Sequence, residues 1–545
     1  MSADLTRKEF LQWLGLSSAA FVLPGLAAES SQWQQGDLVH ILPTVNHQRF
    51  LIKTSFKKPQ QQAPRLRVGN DIFGSDIVAG TMKDTAGRFW AFEVKRLKPA
   101  TEYQLQILDH QLNPQTDCWP LKTFPAPNAS PQRLRILSYT CAGGNEEVIE
   151  ADGVAHAIPL AHRQELLQRA LAEKPDLLIA NGDHVYWDER TMSKYKPQSV
   201  IDAYQRAFDK HGQMQRQEPI LGHNNETILT GIVDQQIAHL YGVMLRSTPV
   251  FMLTDDHDLF DNDEAKKEYI TLPPDSHMLE AARTVQSLYY PEYLPYQTQP
   301  GDLPGSGGKY RSDDLSETFG TVRYGNLFEA VLYDTKRYVS IDGEQGKMVP
   351  DSVEAWLAKR TKSDDSTHFV HIPSTPIAWS AGKWGEWYPD LLDAKTGKLS
   401  LQKQKPHWPS GWWDQHQRIL AMLGQQKKRI PIILSGDLHM SSAAKISESG
   451  DLNFVKNPIH AIVVGTLGSG AAAYPSRARG VLPQVPSQMQ AEEYVRPVEK
   501  NGFTIIDINA DSMNFNMYTW RSPELFTAIA NLRPAYVFSL SEANK

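Results

Sequence analysis

Cysteine is nearly absent from this chain: Cys118 and Cys141 are the only two in 545 residues, too few for a disulfide scaffold. Excess positive charge is absent as well. Lys and Arg number 56 against 62 Asp and Glu, a formal net charge of −6, which argues against a broad basic surface for nucleic acid or anionic lipid. Beyond the N-terminus no apolar run is long enough for a membrane helix. The sequence also lacks GxSxG, HExxH and a CxxC pair. Its Gly307-Gly308-Lys309-Tyr310 stretch has neither the glycine spacing nor the final Ser/Thr of a phosphate-cradling loop. What remains is ordinary globular composition, 41% hydrophobic and 22% charged, spread over a length that calls for two domains or one elaborated one.

Residues 1–28 read as a removable export signal. Arg7-Lys8-Glu9-Phe10-Leu11 precedes a mild apolar run from Leu14 to Leu26, and small residues follow at Ala27 and Ala28. The basic pair is twin-arginine-like, with Lys in the second place, so the expected destination is periplasmic or secreted, through the twin-arginine export machinery or the ordinary secretory route.

From residue 33 to 125 short alternating runs (VHILPTV, RFLIKTSF, RLRVG, FWAFEVKRL) are separated by Pro, Gly and polar residues. This period-two pattern predicts a small all-β sandwich resembling a fibronectin type III domain, with Tyr103 at a tyrosine corner. It holds no cluster of titratable residues, so its expected role is positional, and Cys118 reads as a structural thiol. PAPNASPQ (125–132) is the linker.

From 133 to 545 the pattern changes to strongly apolar runs, several preceded by helical stretches: Arg133–Thr140, Asp176–Ala180, Pro249–Thr254, Leu327–Tyr333, Thr367–Ile372, Ile430–Ser435 and His460–Gly465. Strands buried on both faces give such runs, so the fold class is a layered α/β domain. Polar residues gather just after the strands, where open α/β sheets place their sites. Cys141 follows the first, Gly182-Asp183-His184-Val185-Tyr186-Trp187-Asp188 the second, Asp255-Asp256-His257-Asp258 the third, and Gly436-Asp437-Leu438-His439 the strand at 430. Converging acidic and imidazole groups repel and resist desolvation, and metal ions offset both effects. Singly, each group also has a bland reading as a turn, a cap or a solvated loop. Four in this order do not.

Together these residues resemble the calcineurin-like metallophosphoesterases, and within them the PhoD alkaline phosphatase family. Cys141 stands where the wider superfamily has Asp-x-His. Gly182–Tyr186 is similar to the family's Gly-Asp-x-x-Tyr, Thr254–Asp258 to its Trp-Asp-Asp-His-Glu, and Gly436–His439 to its Gly-Asp-x-His. Trp413–Arg418 resembles its Trp-Asp-Gly-Tyr segment, with Gln415 and His416 in place of Gly-Tyr. Tyr333–Val339 resembles its Leu-Asp-Thr-Arg-x-Tyr-Arg, with Lys336 and Val339 in place of arginines; lysine is a point charge without the bidentate fork.

The resemblance implies a metallophosphoesterase-type catalytic domain behind the β-sandwich and a dinuclear site that hydrolyses phosphate esters by metal-activated water. Asp183 is expected to bridge two ions. Cys141, Tyr186 and His439 would hold Fe3+, which suits thiolate and phenolate. Asp256 and Asp437, with Asp414 and Asn262 as further candidates, would hold Ca2+ or another divalent ion. His257 would stabilise the transition state or protonate the leaving oxygen. His184 and Asp188 flank the site in open roles, and His371, after the strand THFVHI, reads as a ligand or, preferably, as a capped strand-end histidine. Expected substrates are small-molecule or lipid phosphate esters. A phospholipase D-like phosphodiesterase is the alternative on the same site, and a non-catalytic metal- or phosphate-binding descendant the alternative from another class. The Trp-rich stretch holding Trp379, Trp384, Trp387, Trp408, Trp412 and Trp413 reads either as a cleft lining or as packing within an insertion.

Overall fold

The computed structural model describes residues 33–69, 76–187, 198–259, 272–296, 299–307, 315–393 and 395–541. The export-signal stretch, Asp188 and Asn262 lie outside the described residues.

Eight strands come first: β1 (Leu38–Val45), β2 (Phe50–Phe56), β3 (Arg65–Gly69), β4 (Asp76–Ala79), β5 (Thr81–Met82), β6 (Phe89–Val94), β7 (Glu102–Leu108) and β8 (Trp119–Lys122). They form two antiparallel sheets, ordered β1-β2-β6-β5 and β4-β3-β7-β8. Alternation decides what each strand buries. Phe50, Ile52, Phe92 and Val94 of one sheet share a core with Leu66, Val68, Leu105 and Ile107 of the other. Tyr103 hydroxyl accepts the Lys98 N–H at 2.8 Å, which ties the corner before β7. The opposite face of β2 is buried as well, because the helix Ser276–Tyr289 and the turn after it cover it. Lys53 Nζ pairs with Glu292 at 3.0 Å and donates to the Ser287 carbonyl at 2.8 Å, and His40 Nε2 lies 2.8 Å from the Tyr289 carbonyl. Cys118 departs from the expectation of a structural thiol: it is exposed, and its part in the fold is its carbonyl, which accepts from Trp33 Nε1.

The rest of the chain builds two larger mixed sheets. Its strands are β9 (Leu134–Tyr139), β10 (Leu177–Asn181), β11 (Val250–Leu253), β12 (Phe319–Tyr324), β13 (Phe328–Tyr333), β14 (His368–Pro373), β15 (Asp390–Asp393), β16 (Lys398–Gln404), β17 (Ile432–Ser435), β18 (Ser441–Ser449), β19 (Leu452–Asn453), β20 (Ile459–Val464), β21 (Met489–Val498), β22 (Asn501–Ile508), β23 (Ser512–Trp520) and β24 (Pro534–Ser541). One sheet has the order β11-β10-β9-β22-β23-β24. The other runs β12-β13-β14-β17-β20-β18-β19, with β21 also on β18, and β15-β16 stand apart as a hairpin. Within them β11-β10-β9 and β13-β14-β17-β20 are parallel.

Each central strand serves two cores. Ile136, Ile179 and Leu253 face Val370, Ile432, Leu434 and Ile462 between the sheets. Leu137, Leu178, Ala180 and Met252 point the other way, toward Leu166, Leu167 and Ala170 of the helix Leu160–Leu171. On the far side of the second sheet, Ile433, Ala461 and Val463 pack on Trp412, Ile419 and Leu420 of the helix Ser410–Gly424. Strands with two buried faces must be apolar at every position, which is why they read as continuous runs.

Candidate metal centre

The carboxyl ends of β9, β10, β11 and β17 meet where the two sheets face each other. Three loops leave these strands through a left-handed residue that is not glycine: Cys141 (φ 50°), Asp183 (φ 60°) and Asp437 (φ 59°). That conformation costs about 1–2 kcal/mol at each, and all three residues are expected ligands. Two glycines make the convergence sterically possible. Gly182 has φ 83°, and a Cβ there would lie 2.7 Å from Asp255 Cβ. A Cβ on Gly436 would lie 2.3 Å from the Asn181 carbonyl oxygen. Thr140 hydroxyl stitches the loops together, donating to the Asn181 carbonyl at 2.5 Å and accepting the Asp437 N–H at 3.1 Å.

At one end of the group, Cys141 Sγ is 3.2 Å from Asp183 Oδ2. Tyr186 hydroxyl is 3.4 Å from the same oxygen and 3.2 Å from His439 Nε2. The His257 ring lies over Tyr186, with centroids 4.1 Å apart. At the other end Asp183, Asp255, Asp256 and Asp437 each offer an oxygen within 4.8 Å of the others'. Asp183 also belongs to the groups Cys141-Asp183-His439 and Asp183-Asp256-His257. Cys141, Asp183, Asp255, Asp256, His257, Asp437 and His439 are buried, and Tyr186 is half-buried.

The electrostatics are those of an anionic cluster deprived of water. Burial, with the charges of Asp183 and Asp437 added, pushes the Cys141 thiol well up. Burial raises Asp183 and Asp255 likewise, reinforced by their carboxylate neighbours and opposed by His257 and Lys336 respectively. Burial also lowers the His439 imidazole to about 3, so it stands neutral, as a metal ligand must. Asp183 Oδ1, both oxygens of Asp255, Asp256 Oδ1 and Asp437 Oδ2 are buried without a hydrogen-bond partner among the described residues. Buried carboxylate oxygens are rarely left so. A bound cation would satisfy them, and the donor set of thiolate, phenolate, imidazole and carboxylate fits metal ions.

Two of the expected neighbours lie elsewhere. Asp414 departs from the expectation of a second-site ligand: it is exposed on the helix Ser410–Gly424, and its charge bears on Arg418 one turn away. His371 lies between Thr361 hydroxyl at 2.9 Å and Tyr333 hydroxyl at 3.3 Å. His184 Nε2 is 2.7 Å from the Leu253 carbonyl, so it braces the loop. Lys336 donates to the Gly385 carbonyl at 2.8 Å. Arg337 donates to Thr254 hydroxyl at 3.1 Å and pairs with Glu317, so this segment supports the loop after β11. The tryptophans form a packed cluster in which Trp384 lies 5.0 Å edge-on to Trp412, with Trp379, Trp387 and Trp412 fully buried.

Sequence reading missed three participants. Asp255 joins the carboxylate group. Lys383, from the Trp-rich stretch, reaches into it, with Nζ 2.9 Å from Asp256 Oδ2 and bonded to Asp437 Oδ1. Arg163, fully buried on the helix Leu160–Leu171, donates from Nη1 to the carbonyls of Ala142, Gly143 and Gly144 at 3.0–3.2 Å and so fixes the loop behind Cys141. Lys383, Tyr186, His257, Asp437 and His439 line a cleft whose far wall carries Tyr204 and Phe208.

Layered mixed sheets with a buried thiol, imidazole and carboxylate cluster and a half-buried phenol at their strand ends define a metallophosphoesterase-like architecture. A model of the PhoD-like phosphatases matches residues 161–517, and the chain belongs to that family. Among solved structures it is similar to one titled as the structure of PhoD, with 14% identity over 92% of this chain and 90% of that one, at a TM-score of 0.60. It is also similar to a purple acid phosphatase from yellow lupin (Lupinus luteus) seeds, with 12% identity over 92% and 73%, at a TM-score of 0.53. At these identities the likeness is one of fold. Comparison with curated protein sequences finds no match.

Proposed function

We propose that this chain is an exported phosphoester hydrolase that cleaves phosphate monoesters, diesters or both at a dinuclear metal site. The observation that carries the reading is the convergence of three left-handed ligand loops on Asp183, which leaves five buried carboxylate oxygens in need of a cation. Cys141, Asp183, Tyr186 and His439 would hold Fe3+. Asp183, Asp256 and Asp437, with Asp255 beside them, would hold Ca2+ or another divalent ion. Bound there, such ions neutralise the phosphoryl oxygens and activate water for in-line attack.

The chain's own residues do the rest. His257, lying over Tyr186 at the cleft, would stabilise the transition state or hand a proton to the leaving oxygen. Arg163 and Thr140 keep the loops from relaxing as the ligands repel. Tyr204 and Phe208 in the cleft lining suit an apolar ester group, whether it leaves or stays on phosphorus, so lipid esters are candidate substrates and a phospholipase D-like phosphodiesterase is the alternative reading. In this reading residues 1–28 are the twin-arginine-like signal that sends the protein to the periplasm or beyond. Residues 33–125 are a fibronectin type III-like sandwich that buttresses the catalytic part, 133–545.

The test is turnover of an aryl phosphomonoester and an aryl phosphodiester, with and without a calcium-selective chelator. Chelator-sensitive hydrolysis is expected, and the ratio of the two rates assigns the preference. No turnover of either by folded, metal-replete protein would overturn the reading.

A further inference from the structure

Lys383 lies among the ligands although no strand-end motif contains it. Its side chain is 7% exposed, and its ammonium contacts one oxygen of Asp256 and one of Asp437. A rigid frame delivers it. Glu386 accepts from Ser380 hydroxyl and from the Ala381 N–H, and pairs with the buried Lys405 at 2.9 Å. Trp384, the next residue along, is wedged against Trp412 and donates to the Pro406 carbonyl at 2.8 Å. The Trp-rich stretch thus builds a scaffold that holds a positive charge against two carboxylates.

Those carboxylates have two claimants. Asp256 Oδ1 and Asp437 Oδ2 are buried without a hydrogen-bond partner among the described residues, while Asp256 Oδ2 and Asp437 Oδ1 are given to Lys383. A divalent ion bound by the first pair of oxygens shares both carboxylates with an ammonium held on the second pair. Like charges sharing two buried carboxylates repel in a site with little water, and each carboxylate's negative charge is divided between them. Without the ion, the ammonium spares two buried carboxylates from standing uncompensated.

We infer that Lys383 is a built-in competitor for the second metal ion. It holds Asp256 and Asp437 while that ion is away and weakens the ion's binding. The inference rests on the metal-dependent reading above.

Calcium binding to iron-loaded protein, measured by equilibrium dialysis, tests it. Lys383→Met is expected to bind calcium roughly tenfold or more tightly than the wild type, and Lys383→Arg, which keeps the charge, to bind it about as the wild type does. Equal or weaker calcium binding by Lys383→Met would overturn the inference, since a lysine that merely clamps the carboxylates in position helps the ion. If Lys383→Met fails to fold or loses its iron, Lys383→Gln is measured in its place with the same expectation. Iron retained with calcium affinity unchanged removes the lysine's role alone. Iron held by neither protein removes the metal-dependent reading and this inference with it.

Discussion

Asp258 Oδ2 accepts the main-chain N–H of Asp183 at 2.8 Å. The same carboxylate also takes the N–H groups of His184, Val185 and Asp255 at 2.9, 2.9 and 3.1 Å. One buried side chain therefore satisfies the backbone of both loops that carry the central carboxylates, and it makes the left-handed geometry at Asp183 tenable.

Removing that acceptor leaves four buried N–H groups unpaired. Asp258→Ala is expected to cost about 3 kcal/mol or more in urea unfolding and to lower metal content at both ends of the site. Asp258→Asn, which keeps the shape with half the acceptor capacity, should fall between. Wild-type stability in Asp258→Ala would show that the loops hold their shape without it.

Cys141 and Tyr186 are distinguishable by spectrum and by metal analysis. Cys141→Ser should lose iron and turnover together, and full iron occupancy in that variant would refute its ligation. An iron–phenolate bond absorbs visible light, so the iron-loaded wild type should be coloured and Tyr186→Phe bleached. A colourless wild type carrying iron counts against Tyr186.

The stability gap between metal-loaded and metal-free protein should widen as pH rises. Burial holds the Asp183 and Asp255 carboxyls above their ordinary range, so the folded state keeps protons that the unfolded chain releases from about pH 4 upward. Their contribution is complete below that range and lost as pH climbs toward the raised folded values. Bound cations favour the ionised forms and should flatten the slope. Melting curves from pH 4 to 8, with and without chelator, should diverge as pH rises, and parallel curves would disprove the coupling.

Lys53 and Glu292 form an almost completely buried pair between β2 and the segment after the helix Ser276–Tyr289. Lys53→Met strands the Glu292 carboxylate and should destabilise the protein by about 3–5 kcal/mol. The double variant with Glu292→Leu should recover much of that loss. If the single change is silent in unfolding experiments, the pair does not hold the sandwich in place.

The central strands were readable because two buried faces demand unbroken apolar runs, and β9, β10, β11, β13, β14, β17 and β20 fall on the expected segments within a few residues. The antiparallel strands that complete the sheets were not. β21 buries only Met489 and Val495 and carries Glu492, Glu493 and Arg496, so it lacks the apolar signature, while β24 (PAYVFSLS) is apolar in sequence yet mostly exposed, as an edge strand on β23. Asp414 shows the limit of motif reading. Its segment resembles the family's, yet on this helix Gln415 and His416 face inward while Asp414 faces out.

Which residues stand at the strand ends follows from the chain alone, because a buried strand must be apolar and the first polar groups after it mark where it stops. Cys141, Asp183, Tyr186, Asp256, His257, Asp437 and His439 are legible on that ground. Only the tertiary structure decided what faces them. Arg163 arrives from a helix, Asp258 turns back on two loops, and Lys383 reaches the carboxylates from an insertion far along the chain. Long-range charge pairing leaves no local period or spacing, since its energy depends on distance in space and on burial.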